Sequence, residues 1–303
     1  MIQPGGTMRL RARMIAGIAA CCVVLGGEAA VRRAQEPAGP LPPWSPGHLD
    51  IHHISTGLGN STFIRLPGGA TLLVDAGSAN RIPHADPRPD DTRRPGEWIG
   101  RYVRAAMPGT DAAIDYAVLT HFHPDHIAGI ADVAATVPIR KVIDRGSPSY
   151  SYLPPAAGDA VFKAYRGFLE RTPAVTAEAA VVGSTAQIAD RPGGAQRAEV
   201  RVIAANDQVW TGKGDATRRR FPSLESIKDP ADRPTENMCS VALGLSYGAF
   251  DYFTGGDMPG YPVPGGPAWH DLESDVARAI GETDARQVGH HGSIEVENPF
   301  FLA

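Results

Sequence analysis

Apolar and polar positions along the chain fall into short blocks, and the period of each block predicts an element. Leu49 to Ser55 reads as a strand. Ser61 to Leu66 and Ala70 to Asp75 read as two more, joined as a hairpin through Pro67-Gly68-Gly69. Arg81 to Pro95 is polar and proline-rich, the composition of a surface loop. Glu97 to Met107 puts Trp98, Tyr102 and Ala105 on one face of a helix. Ile114 to Leu119 has the length and composition of a buried strand and runs straight into His121. Ile127, Ile130 and Val133 follow at helical spacing, Val142-Ile143 marks a strand, and Val161, Phe162, Tyr165, Phe168 and Leu169 mark an amphipathic helix. Glu199 to Ala204 and Ser240 to Tyr247 read as strands, and Phe250 to Thr254 forms a hairpin with the latter. Leu272, Val276 and Ile280 define a late helix, and Ala285 to Val288 a last strand ending at His290-His291. Strands first, then strands mixed with helices, predict an α/β protein in which layers of sheet are covered by helices.

The first 29 residues do not fit that scheme. Arg9, Arg11 and Arg13 are followed by an uncharged stretch from Met14 to Gly27, then by small residues with Gly27 and Ala29 at the spacing of a signal-peptidase site. That order is a secretory signal, and its apolar part falls short of the roughly 20 residues a membrane span needs. The expected organisation is a signal peptide over 1–29, a linker over 30–48 and one domain over 49–303. The expected location is periplasmic or extracellular, with no membrane span once the signal is removed. Ile18-Ala19-Ala20-Cys21 also fits a lipobox, which makes a lipoprotein anchored at Cys21 the alternative. Cleavage after Ala29 leaves Cys239 as the one cysteine, so no internal disulfide can form. Residues 1–29 hold three Arg and one Glu, and their loss takes the net charge from -4 to -6. Such a chain has no global attraction to nucleic acid, so no stable nucleic-acid complex is expected. Arg218-Arg219-Arg220 reads as a solvated loop, and His48, His84 and His270 as solvated histidines.

Candidate chemistry concentrates in Thr120-His121-Phe122-His123-Pro124-Asp125-His126. In an extended chain His121 and His123 lie on one side. Pro124 then turns the chain, so that Asp125 and His126 approach from another direction at the start of a helix. Imidazole and carboxylate together suit zinc and similar transition metals. Phe253-Thr254-Gly255-Gly256-Asp257 and Gly289-His290-His291-Gly292-Ser293 each place further ligand types at the end of a strand.

The motif His121-x-His123-x-Asp125-His126 resembles that of the metallo-β-lactamase fold hydrolases. Asn60-Ser61-Thr62, Val74-Asp75-Ala76-Gly77, the strand ending at Asp257 and the His-His-Gly-Ser stretch narrow the resemblance. They look like the hydrolase domain of the competence DNA-uptake channel proteins and similar secreted hydrolases, including phosphorylcholine esterases. The resemblance implies an αββα sandwich with a metal site along one edge. It implies that His121 and His123 hold one metal, that Asp125, His126 and His291 hold the other with His290 as the alternate, and that Asp257 bridges. Asp75 would orient a ligating histidine. Asn237 would stand near the first metal, where many relatives have a third histidine and this chain has none between His126 and His270. Zn2+, two ions per chain, is the expected cofactor, with Mn2+ or Fe as alternatives. Relatives continue past the last motif, so a missing final strand and helix are expected here.

The function this implies is a secreted metal-dependent hydrolase in which a metal-bound hydroxide attacks a phosphodiester, in a small molecule or a transiently bound nucleic acid. Asp257 would orient the hydroxide and His290 would stabilise charge or protonate the leaving group. Two alternatives stand beside it: a lactam, lactone or thioester hydrolase of the same fold, and a metal-binding fragment without activity.

Overall fold

Strand residues alternate between two apolar environments, and that alternation builds the layers. A computed structural model describes residues 41–303 apart from 56, 58, 78–88, 110, 193–195 and 263–264; the expected signal peptide, Cys21, most of the linker and His84 lie outside the described residues. The first sheet runs in spatial order β1 (Asp50–His53), β2 (Thr62–Arg65), β3 (Thr71–Val74), β4 (Ile114–Val118), β5 (Ile139–Asp144) and β6 (Thr176–Ala179). Its first three strands are antiparallel and its last four parallel. The second sheet contains β7 (Glu199–Ala205), β8 (Gln208–Trp210), β9 (Thr217–Arg219), β10 (Ala242–Tyr247), β11 (Phe250–Thr254) and β12 (Ala285–Arg286), in the order β12-β11-β10-β7-β8-β9. It is antiparallel except where β12 joins β11.

In the first sheet Phe63, Leu73, Ala117 and Val142 point away from the second sheet. They pack with Ile99 and Val103 of α1 (Pro95–Ala106), with Ile130 and Val133 of α3 (Ile130–Thr136), and with Tyr165 and Phe168 of α4 (Ala160–Arg171). Their neighbours Ile64, Leu72, Val74, Val118 and Ile143 face the other way, against Val200, Val202, Leu243, Leu245 and Tyr252 of the second sheet. Ile203, Ala204, Ala242 and Phe253 then face outward onto Leu272 and Val276, beside and on α5 (Glu273–Ile280). The result is the αββα sandwich, with a buried apolar layer between each pair of sheets or sheet and helices. β6, β8 and β9 are additions to the expected elements. Their polar sequences, such as Thr217-Arg218-Arg219, carry no strand period.

Two expectations fail. Arg218 and Arg219 sit on an edge strand and pair with Asp275 and Asp207, but Arg220 is buried. It donates to the carbonyls of Asn206 and Met238, each at 2.7 Å, and to the Sδ of Met258 at 3.1 Å. His270 is also buried, with Nε2 3.0 Å from the carbonyl of Asp232. In both cases tertiary carbonyls satisfy a polar group that the local sequence marks for water. Cys239 is a free, buried cysteine. Among the described residues no helix is long and apolar enough to cross a membrane.

Close backbone approach at the end of β3 fixes where the metal-motif loop sits. A Cβ on Gly77 would come within 1.9 Å of the carbonyl oxygen of Asp125. Gly77→Ala therefore forces the β3 end and the loop apart, and is expected to cost about 1–3 kcal/mol, as overpacking does. Gly158→Ala, with nothing within 4 Å of its added methyl, should stay within about 0.5 kcal/mol of the parent. Urea denaturation of the two variants measures the difference.

Candidate metal centre

The site forms where the C-terminal ends of β3 and β4 meet the ends of β11 and β12. After β4 the chain bends at His121, Phe122 and His123, and Pro124 opens the single-turn helix α2 (Pro124–Ile127). Three backbone bonds stitch this turn to the end of β3 and to the segment before β2. Asn60 N donates to Asp125 O at 2.9 Å, Ala76 N to His126 O at 2.8 Å, and Gly129 N to Ala76 O at 2.8 Å. Side chains from His121 to His126 are thus brought to one point.

That point is Oδ2 of Asp257. His126 Nε2 lies 3.1 Å from it, His291 Nε2 3.6 Å, and His121 and His290 Nε2 each 3.7 Å. Two donor sets share this carboxylate: Asp125, His126, Asp257 and His291 in one, and His121, His123 and Asp257 in the other. Within the first, His291 Nε2 is 3.0 Å from Asp125 Oδ2 and 3.3 Å from His126 Nε2. Within the second, His121 Nε2 is 3.1 Å from His123 Nδ1. His291 rather than His290 joins the first set. His290 instead places Nε2 3.4 Å from Asn237 Nδ2, and its Nδ1 is buried without a partner. The backbone makes this division. His290 and His291 both have positive φ, 39° and 53°, followed by Gly292 at 76°, so the two rings leave a tight left-handed turn in different directions. Positive φ at residues other than glycine costs of order 1 kcal/mol each and is held here by the surrounding fold.

Asp75 sits beneath the first set and is fully buried. It accepts from Thr120 N at 2.7 Å, Thr120 Oγ1 at 2.9 Å, Asn60 Nδ2 at 3.1 Å and His126 Nδ1 at 2.7 Å. The bond to Nδ1 leaves Nε2 of His126 as the nitrogen that faces the cluster. Glu236 is a positioning residue that the sequence did not mark. It accepts Phe122 N at 2.8 Å, between the two histidines, and is itself held by the buried Arg145. A lone Glu in a loop carries no signal in the sequence. Its role depends on a partner 114 positions away.

The electrostatics follow from crowding. Burial pulls the His126 imidazole toward neutrality, but Asp75 and Asp257 outweigh it and hold the group up at about 10. Bonds to Asp125 and Asp257 hold His291 up at about 9 against burial. Burial pushes Asp257 toward its neutral form. The bonds from His126 and His291 and the nearby imidazole charge overcome this and keep it far below the usual carboxylate range. His121, with no exposure, is held neutral by burial. Protons on His126 and His291 therefore occupy the space between two carboxylates that a divalent cation would fill. The donor set fits a transition metal in type, number and spacing.

The chain matches the family model of the metallo-beta-lactamase superfamily over residues 54–292. No curated protein matches it significantly. Among solved structures it is similar to CmlA, a diiron β-hydroxylase from Streptomyces venezuelae, at 15% identity and a TM-score of 0.41, over 80% of this chain and 35% of that one. It is similar to Zn(2+)-bound PqqB from Methylobacterium extorquens at 16% identity and a TM-score of 0.36, over 75% of this chain and 58% of that one. It is also similar to the metallo-beta-lactamase SMB-1, at 13% identity and a TM-score of 0.42, over 82% of this chain and 80% of that one. The chain thus spans about a third of the length of CmlA.

A metal entering the first set displaces the protons on Nε2 of His126 and His291, so uptake at neutral pH should release protons and tighten as pH rises toward 9. Calorimetric titration in buffers of different ionisation enthalpy counts those protons. In the metal-free protein the same groups have folded pKa values above the unfolded 6.5. Their stabilising contribution is complete below that value and is lost as pH rises through about 9 to 10, so the thermal midpoint should fall there.

Proposed function

The chain belongs to the metallo-beta-lactamase superfamily, and on that premise we propose that it is a metal-dependent hydrolase acting on phosphodiester bonds. The observation that carries the reading is the sharing of one buried carboxylate, Asp257, by two donor sets. Asp125, His126 and His291 would hold one ion, His121 and His123 the other, and Asp257 both. Zinc is our first assignment on the imidazole-rich donor set, ahead of manganese or iron. When bound, the pair supplies Lewis acidity and an activated water near neutral pH.

The chain's own residues do the rest. Asp257 would orient the nucleophile from its Oδ2, which lies within 3.7 Å of four imidazole nitrogens. Asp75 keeps His126 in the tautomer with Nε2 toward the site. His290 lies at the rim with its side chain 26% exposed and its Nε2 within 3.7 Å of Asp257. From there it can reach a substrate oxygen, balance charge on it or protonate a leaving group. Asn237 holds that imidazole from the side.

The choice of phosphodiesters rests on the likeness of the His-His-Gly-Ser and Asn60-Ser-Thr motifs to the hydrolase domain of competence proteins. A net charge of -6 after loss of residues 1–29 favours a small or transiently bound substrate over a standing nucleic-acid complex. Export through the segment 1–29, with Cys21 lipidation as the alternative, belongs to the same proposal.

The test is a panel of an activated phosphodiester, a cephalosporin, a lactone and a thioester with metal-loaded protein. The expected result is turnover of the phosphodiester that chelator abolishes. His290→Ala should lower kcat by roughly 10²–10⁴-fold with little change in KM, the range for a lost general acid. Turnover of a carbonyl substrate alone would replace the substrate class, and turnover indifferent to chelator would overturn the metal chemistry.

A further inference from the structure

Asn60 is bonded through both its backbone and its side chain. Its N–H donates to Asp125 O and its carbonyl accepts from Gly77 N, both at 2.9 Å. Its Nδ2 donates to Asp75 Oδ2 at 3.1 Å, and its Oδ1 accepts from Gln287 Nε2. Gln287 in turn accepts from Thr254 Oγ1 at 2.7 Å. The polarity of this chain is forced. A carboxylate only accepts, so the amide nitrogen of Asn60 faces Asp75; its oxygen then faces Gln287, which must present nitrogen and keep its own oxygen for the Thr254 hydroxyl. Every donor points toward Asp75, the carboxylate that also receives His126 Nδ1.

The two amides belong to opposite sheets. Asn60 lies just before β2, against the turn carrying Asp125 and His126. Gln287 follows β12, where its N–H bonds Phe253 O at 2.9 Å, and it precedes the left-handed turn that carries His290 and His291. The Asn60–Gln287 contact is thus a direct side-chain tie across the edge of the sandwich, between the half that supplies Asp125 and His126 and the half that supplies His291. A carboxylate at position 60 would set a second negative charge against Asp75, and an apolar residue would remove both the donor to Asp75 and the acceptor for Gln287 Nε2.

We propose that Asn60 and Gln287 are positioning residues that fix the spacing between His126 and His291 across the two sheets, and so set the affinity of the Asp125–His126–Asp257–His291 set selectively. This rests on the metal reading above. Neither residue belongs to the His121–His123 set, so the bridge acts on one of two ions. Outer partners of metal ligands are typically worth 10–100-fold in affinity.

The experiment uses the full chain as wild type, Asn60→Asp, Gln287→Met and the double variant. Each is made metal-free, loaded with Co2+ alone and titrated with a chelator, with metal per chain and the cobalt visible spectrum as readouts. The wild type should hold two ions. Each variant should release one of them at 10–100-fold lower chelator strength, with the other unchanged. The double variant should match the weaker single variant, because both cut one chain of bonds. Gln287→Met leaves all backbone bonds of Asn60 in place, so it keeps the test open if Asn60→Asp folds poorly. Variants that hold both ions as the wild type does, or lose both equally, would overturn the inference and leave the metal reading standing. A wild type that takes up no Co2+ would overturn both.

Discussion

A carboxylate removed entirely from water is tolerated only when its oxygens are saturated with donors, and Asp75 meets that condition with a backbone N–H, a hydroxyl, an amide and an imidazole. Each donor comes from a piece of chain that must stop in a particular place. Thr120 closes β4, His126 ends the first turn after Pro124, and Asn60 leads into β2. Asp75 itself has a φ of 61°, a conformation that turns the chain sharply at the end of β3. The edge of the first sheet and the orientation of His126 are consequences of satisfying this one buried charge.

Apolar burial brings the second sheet to that edge, and polar ties such as Val241 N to Thr120 O at 2.8 Å and Gln287 to Asn60 join the two sheets there. Leu72, Val74 and Val118 meet Val202, Leu243 and Leu245 across the sandwich, and this face-to-face contact delivers the ends of β11 and β12 to the imidazoles of the first half. Where the two edges meet, the polar groups have no regular ladder to join. Asp257 on one side and His126 on the other therefore balance one another, while burial holds the adjacent His121 neutral. The turn at His290 and His291 adds backbone strain, held between β12 and the segment after it, where Glu297 accepts Gly289 N at 3.1 Å.

Behind the second donor set stand the buried Arg145 and the half-buried Glu236, which accepts the N–H of Phe122 between His121 and His123. Arg220 tethers Met238 and Met258, the neighbours of Asn237 and Asp257. Among the described residues this set has two imidazoles and a shared carboxylate. Rigid support from below is what keeps so small a set of ligand groups aligned.

Much of this was legible in the sequence because it is local. The period of Phe63-Ile64 and Leu72-Leu73-Val74 assigns each side chain to a layer, and the spacing of His121, His123, Asp125 and His126 around Pro124 puts four candidate ligands in one short stretch whatever the rest of the chain does. The strands β6, β8 and β9 were not legible, since their polar residues gain their ladders only from neighbours. Nor were the burial of Arg220, the bonds of Glu236, or the tie from Asn60 to Gln287, 227 positions apart. The choice between His290 and His291 was left open by adjacency in the sequence, and the left-handed backbone settles which ring faces Asp125 and which faces Asn237. Short-range pattern determined which residues are candidate metal ligands. Only the tertiary structure decided which of them meet, because hydrogen bonds between distant segments depend on packing that no local period encodes.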